Sequence, residues 1–251
     1  MIFYFSATGN TKWQAERAAA ALGDEAVDIM TVSPQDYTFG PDDTIGIYFP
    51  VYACVAPDPV KDFARQIDPN GAYTYAVCGY SNYTGLAMQE FSESVWKLHS
   101  GYGLLMPDNT SVLGYPYDTE ETTKEKLATA CARMDAIIER IKKREEDVFD
   151  SYQGPNPEED TKNLPGFFNS QLAVTGPFYV NESCIGCGMC EAGCPKKAIE
   201  MQDGKPVWIM DHCYLCSACI NKCPVEAIEY GDKSQGVYRY TFEKYQKWLA
   251  E

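Results

Sequence analysis

Two short stretches of this chain are copies of each other, and together they hold eight of its eleven cysteines. Cys184-Ile-Gly-Cys187-Gly-Met-Cys190-Glu-Ala-Gly-Cys194-Pro195-Lys-Lys-Ala198-Ile199-Glu200 recurs 29 residues later as Cys213-Tyr-Leu-Cys216-Ser-Ala-Cys219-Ile-Asn-Lys-Cys223-Pro224-Val-Glu-Ala227-Ile228-Glu229, with eight of seventeen positions identical. A unit this small cannot bury a core alone. The copies are therefore expected to fold together around whatever their cysteines hold.

Each copy reads C-x2-C-x2-C-x3-C-P, the spacing of bacterial iron-sulfur ligation. Three thiolates set three residues apart wrap one cubic cluster, and Gly186, Gly188, Ser217 and Ala218 are small enough to permit a close wrap. The fourth cysteine, before proline, turns away to the other cluster. This rule assigns Cys184, Cys187, Cys190 and Cys223 to one [4Fe-4S] cluster and Cys213, Cys216, Cys219 and Cys194 to the second. Zinc sites are the alternative, but they show isolated C-x2-C pairs separated by about a dozen or more residues, which these runs do not match.

From about Phe178 to Gly231 the chain resembles the two-cluster bacterial ferredoxins, and both motifs are complete. The resemblance implies single-electron transfer at low potential. The repeated Ala-Ile-Glu tails would shelter the clusters from water and so influence their potential.

The first 150 residues alternate strand-like and helix-like stretches. Strands are expected at Ile2 to Phe5, Ala26 to Met30, Thr44 to Phe49, Tyr73 to Cys78 and Gly103 to Met106. Helices are expected at Thr11 to Leu22, Val60 to Ile67, Leu86 to His99 and from Thr119 to the basic triplet Lys142-Lys143-Arg144. Such alternation predicts an α/β fold with a parallel sheet covered on both faces. The first strand runs through Ser6-Ala7-Thr8-Gly9-Asn10-Thr11 into a helix, where hydroxyls and helix-start amides make an anion site. It contains no lysine and so is not a nucleotide triphosphatase loop.

This loop is similar to that of flavodoxins, typically Thr/Ser-x-Thr-Gly-Asn-Thr, and the likeness covers roughly residues 1 to 147. It implies a doubly wound five-stranded parallel sheet in the order 2-1-3-4-5, with flavin mononucleotide (FMN) at the switch point. Ser6, Thr8, Gly9, Asn10 and Thr11 would hold the phosphate. Tyr52, Gly79, Tyr80, Asn82 and Tyr83 would contact the ring, with at least one tyrosine stacking on it. The flavodoxin stacking tryptophan is not recognisable in the proline-rich segment Pro50 to Pro57.

Gly154-Pro155-Asn156-Pro157, Pro165-Gly166 and Gly176-Pro177 mark residues 151 to 177 as a linker. The domains are then 1–150, flavodoxin-like, and 178–251, a smaller α+β ferredoxin-like domain with a C-terminal extension. Taken whole, the chain resembles flavodoxin-ferredoxin fusion proteins of anaerobic prokaryotes. The leading expectation is an electron-transfer protein carrying two [4Fe-4S] clusters and FMN. Its competitors are a flavin-dependent reductase of a small oxidant fed by the clusters, and a ferredoxin with a flavin-free docking domain.

A net charge of -15 argues against nucleic-acid binding and favours redox partners with basic docking surfaces. The aromatic C-terminal stretch is expected to form a strand and helix against one domain, or else part of a homodimer contact. No run approaches the roughly 18 apolar residues of a membrane span, so a cytoplasmic location is expected.

Overall fold

The computed structural model describes residues 1–110, 112–113 and 118–249. The first part contains β1 (Ile2–Tyr4), α1 (Asn10–Leu22), β2 (Ala26–Asp28), β3 (Thr44–Pro50), α2 (Asp58–Ala64), β4 (Tyr73–Tyr80), α3 (Ala87–Ser94), β5 (Ser100–Leu105), α4 (Glu120–Lys142) and β6 (Val148–Asp150). All six strands lie in one sheet, in the order β2-β1-β3-β4-β5-β6, and every pairing is parallel. The expected five-stranded order is present, extended at its edge by β6. That strand is only three residues long and half-buried throughout, which left little pattern to read. The fifth strand begins earlier than expected, at Ser100, because a polar residue and two glycines occupy positions that packing claims.

The sheet is buried on both sides, as a parallel sheet covered by helices requires. Ile2, Tyr48, Tyr75, Val77 and Tyr102 face α1 and α4, whose apolar faces include Ala15, Leu127, Met134 and Ile138. Phe3, Ile45, Ile47, Phe49 and Ala76 face α2 and α3. The start of α4 is fixed by a capping box, with Thr119 Oγ1 accepting from the Thr122 amide at 3.2 Å and Thr122 Oγ1 accepting from the Thr119 amide at 2.9 Å.

The second part contains α5 (Pro157–Phe167), β7 (Phe178–Val180), α6 (Met189–Ala192), β8 (Ile199–Gln202), β9 (Lys205–Trp208), α7 (Ala218–Asn221), β10 (Ile228–Tyr230) and α8 (Phe242–Tyr245). β7 pairs antiparallel with β10, and β8 with β9. The linker is not irregular throughout: α5 occupies eleven of its residues. Pro157 stands at the start of that helix, where a missing amide costs nothing, and Glu158, Glu159 and Asp160 suit the first-turn dipole. Phe168, just beyond α5, packs its ring 6.2 Å from that of Tyr52, while Phe167 is exposed.

The C-terminal stretch forms α8 and a following 3-10 turn, Gln246–Trp248, but no strand among its described residues. Tyr240, Phe242 and Tyr245 are buried in the core shared by α1, α4 and the sheet.

Candidate flavin cleft and cysteine cavities

Strand order reverses around β1 and β3, so the loops leaving their C-terminal ends diverge and open a crevice, the usual ligand position in such sheets. A cleft lies there, open to solvent and lined by polar and aromatic side chains from four loops. Of the residues expected to bind flavin, Ser6, Thr8, Asn10, Thr11, Tyr52, Gly79 and Tyr80 line it. Gly9, Asn82 and Tyr83 are not among its lining. Gly9 is turned against the C-terminal stretch, and Tyr83 lies against Gly154.

Gly9 caps α1 with φ +106°, a conformation that favours glycine, and directs the loop into the helix. The α1 N-terminus and the hydroxyls of Ser6, Thr8 and Thr11 make a neutral donor set, and no lysine or arginine appears among the described lining residues. Such a set fits a phosphate monoester held without ion pairing.

Tyr52 is presented by a two-residue turn in which Ala53 (φ +47°) and Cys54 (φ +66°) are both left-handed, closed by Tyr52 N–H to Val55 O at 3.0 Å and the reciprocal bond at 3.1 Å. Neither residue is glycine, so the turn stores strain beside the cleft. The Tyr52 hydroxyl is buried without a hydrogen-bond partner among the described residues. Cys54 does not line the cleft. It is buried beside Gly85, where burial pushes its thiol up to about 11.

Sequence reasoning missed the fourth wall, Met106 to Thr110, which follows β5 and carries no motif. Its place could have been inferred from topology, because the loop after β5 leaves the same sheet edge. It is held by Asp118, which accepts from the Asp108 amide at 2.6 Å and pairs with Lys126 at 2.8 Å. Lys126 also donates to the Ser81 carbonyl at 2.9 Å, tying this wall to the loop after β4.

The eight motif cysteines gather in two cavities. Cys194, Cys213, Cys216 and Cys219 line one; Cys184, Cys187, Cys190 and Cys223 line another. The grouping follows the crossed rule, each copy lending its last cysteine to the other. Among the described residues no three histidine, cysteine, aspartate or glutamate side chains converge on a single-ion position. Four sulfurs ringing a cavity suit a cube of iron and sulfide better than one tetrahedral zinc, which needs its sulfurs about 2.3 Å from a point.

The copies are alike in backbone. Gly186 and Leu215, Gly188 and Ser217, and Lys197 and Glu226 occupy equivalent positions and all have positive φ. The amides of Ala198 and Ala227 donate to the sulfurs of Cys194 and Cys223 at 3.3 and 3.2 Å, and such bonds tune a bound cluster. Ala198, Ile199, Ala227 and Ile228 are buried, as expected for the shelter. Burial pushes the Cys216 thiol up to about 12 and Cys219 well above the usual thiol range.

Burial breaks the repeat symmetry. Ile185 and Met189 are 65% and 51% exposed, whereas Tyr214 packs its ring 6.3 Å from that of Phe5, and Ala218 is buried. The second copy thus faces the sheet and its cleft. Asn109 Nδ2 donates to Thr8 Oγ1 at 2.9 Å and to the Cys216 carbonyl at 3.5 Å. Tyr52 lines both the cleft and a neighbouring cavity that contains Cys213 and Tyr214.

Residues 183–228 match the family described as a 4Fe-4S dicluster domain. A six-stranded parallel sheet in the order β2-β1-β3-β4-β5-β6 thus precedes the segment that matches this family. No curated protein matches it. Among solved structures, it is similar to a candidate flavoprotein of Bacteroides uniformis ATCC 8492 at 21% identity and TM-score 0.35, covering 50% of this chain and 94% of that one. A Fusobacterium nucleatum flavodoxin bound to flavin mononucleotide is similar at 17% identity and TM-score 0.38, covering 58% and 97%. The matched segment exchanges hydrogen bonds with the wall of the cleft, and no helix among the described residues is long and apolar enough to cross a membrane.

Proposed function

We propose that this protein transfers electrons between two [4Fe-4S] clusters and FMN, and onward to a redox partner. The observation that carries the reading is the direct seating of the second cysteine copy on the cleft, with Asn109 hydrogen-bonded to both Thr8 and the Cys216 carbonyl. Bound in the cleft, a flavin supplies a centre that accepts one or two electrons beside clusters that accept one each. The chain's residues hold the phosphate at Ser6, Thr8 and Thr11, flank the ring at Tyr52 and Tyr80, and cover the second cluster with apolar surface.

The partner is a redox protein with a basic docking surface, since the chain carries a net charge of -15 and both cofactor types add negative charge. Association then weakens as salt rises. The chain works in the reducing cytoplasm, where eight thiolates persist as metal ligands rather than disulfides.

Anaerobic purification with metal, sulfide and flavin counted per chain tests the reading. It expects about eight irons, about eight sulfides and about one FMN. Zinc in place of iron overturns it, and a full-length protein that ignores added FMN reduces it to a dicluster carrier. Steady turnover of small oxidants without a partner protein assigns a reductase instead.

A further inference from the structure

The phosphate loop is held by a closed ring of hydrogen bonds that runs through the dicluster segment. Asn109 Nδ2 donates to Thr8 Oγ1 at 2.9 Å, and the Asn109 carbonyl accepts from Asn221 Nδ2 at 2.8 Å. Asn221 Oδ1 accepts from the Tyr240 amide at 2.9 Å, and the Tyr240 hydroxyl donates to Asn10 Oδ1 at 2.6 Å. Asn10 Nδ2 closes the ring on the Pro107 carbonyl at 3.0 Å. Beside it, the Phe242 amide donates to the Thr8 carbonyl at 2.8 Å.

Asn221 sits in α7, between the ligands Cys219 and Cys223, and also donates to the Ser217 carbonyl at 2.9 Å. Tyr240 is fully buried, Thr8 is 4% exposed and Asn221 8% exposed, so these bonds are formed away from water. An unmade hydrogen bond there leaves a partner that solvent does not readily satisfy.

We propose that Tyr240 and Asn221 are positioning residues for the flavin phosphate, through which the C-terminal stretch and the dicluster segment set the affinity of the loop for FMN. The inference rests on the functional reading above. Neither residue lines the flavin cleft, and both act through Asn10 or Asn109. Helix-start amides bind phosphate only when aimed at it. A loop already fixed by Tyr240 and Asn221 therefore spares the ligand the entropy of ordering it. The phosphate, not the isoalloxazine ring, should feel the loss, because Asn10 belongs to the turn that enters α1.

The test uses full-length, cluster-loaded protein stripped of flavin and titrated with FMN and, separately, with riboflavin, which lacks the phosphate. Tyr240→Phe should weaken FMN binding roughly 3- to 10-fold, the weight of one net hydrogen bond, and leave riboflavin binding unchanged. In an Asn10→Ala background the same change should have no further effect. Asn221→Ala, checked for unaltered iron content, is the second variant and should also act on FMN alone. Equal FMN affinity in the parent and both variants overturns the inference, as does parallel loss of FMN and riboflavin, or full additivity with Asn10→Ala. A parent protein that binds no FMN instead removes the flavin from the functional reading, so the two failures are distinguishable.

Discussion

Crossed ligation makes a prediction that pairs of substitutions can decide. Cys194 shares its cavity with Cys213, Cys216 and Cys219, and Cys223 shares the other with Cys184, Cys187 and Cys190. Replacing Cys194 and Cys213 together by alanine removes two ligands from one cavity and none from the other. Iron after anaerobic reconstitution and a chelator wash should then fall from about eight to about four per chain. Replacing Cys184 and Cys194 together, both from the first copy, removes one ligand from each cavity. Both clusters become labile, and iron should approach zero. Ligation in sequence order predicts the reverse, because Cys184 and Cys194 would then share a cluster while Cys194 and Cys213 would not. Alanine is the right replacement, since a serine oxygen can substitute as a ligand. Near-total iron loss in Cys194→Ala/Cys213→Ala, with about half retained in Cys184→Ala/Cys194→Ala, would refute the crossed assignment.

Three further outcomes are expected. Tyr52→Ala should weaken FMN binding about 2- to 10-fold in a fluorescence titration, the range of an aromatic stacking contact; unchanged affinity would remove Tyr52 from the ring's contacts. Arg239→Ala should lower stability in denaturant titrations by about 3–5 kcal/mol, because Arg239 and Glu229 pair at 2.8 Å with side chains only 4% and 9% exposed; a loss below about 1 kcal/mol would contradict that burial. Cys54, raised to about 11 by burial, should be about one part in a thousand thiolate at pH 8. Its alkylation, followed by peptide mass spectrometry, should accelerate roughly tenfold per pH unit from there until about pH 11, and a rate independent of pH would contradict the shift.

What was legible in the sequence is what chemistry or periodicity writes locally. The cysteine spacing specifies the grouping seen in the two cavities, where three sulfurs come from one tight loop and a fourth from the other copy. The alternation of Ile2–Tyr4, Asn10–Leu22 and Thr44–Pro50 specifies a parallel sheet because apolar runs and amphipathic helices can pack only so. Breaker residues misled at α5, where Pro157 marks a helix start, with the three acids after it as the available signal. The residues beside Asn109 give no sign of this role, because its contacts lie 101 and 107 positions away at Thr8 and Cys216. Tyr240 bonds Asn10 across 230 positions, a pairing that no local pattern encodes.

That long-range pairing decides how the two parts of the chain are held together. A flexible tether between two domains would raise their effective concentration and leave their orientation free. Here three connections act together: Phe168 beyond α5 packs on Tyr52, the loop around Cys216 meets Asn109, and the C-terminal stretch returns to Thr8 and Asn10. The last of these also completes a core. Tyr240, Phe242 and Tyr245 are buried among residues of α1, α4 and the sheet, so residues 1–150 alone would expose that apolar face. A cut at residue 150 therefore removes part of the sheet's core along with the eight motif cysteines. The orientation of the second cysteine copy toward the cleft is fixed by the same packing that stabilises the sheet.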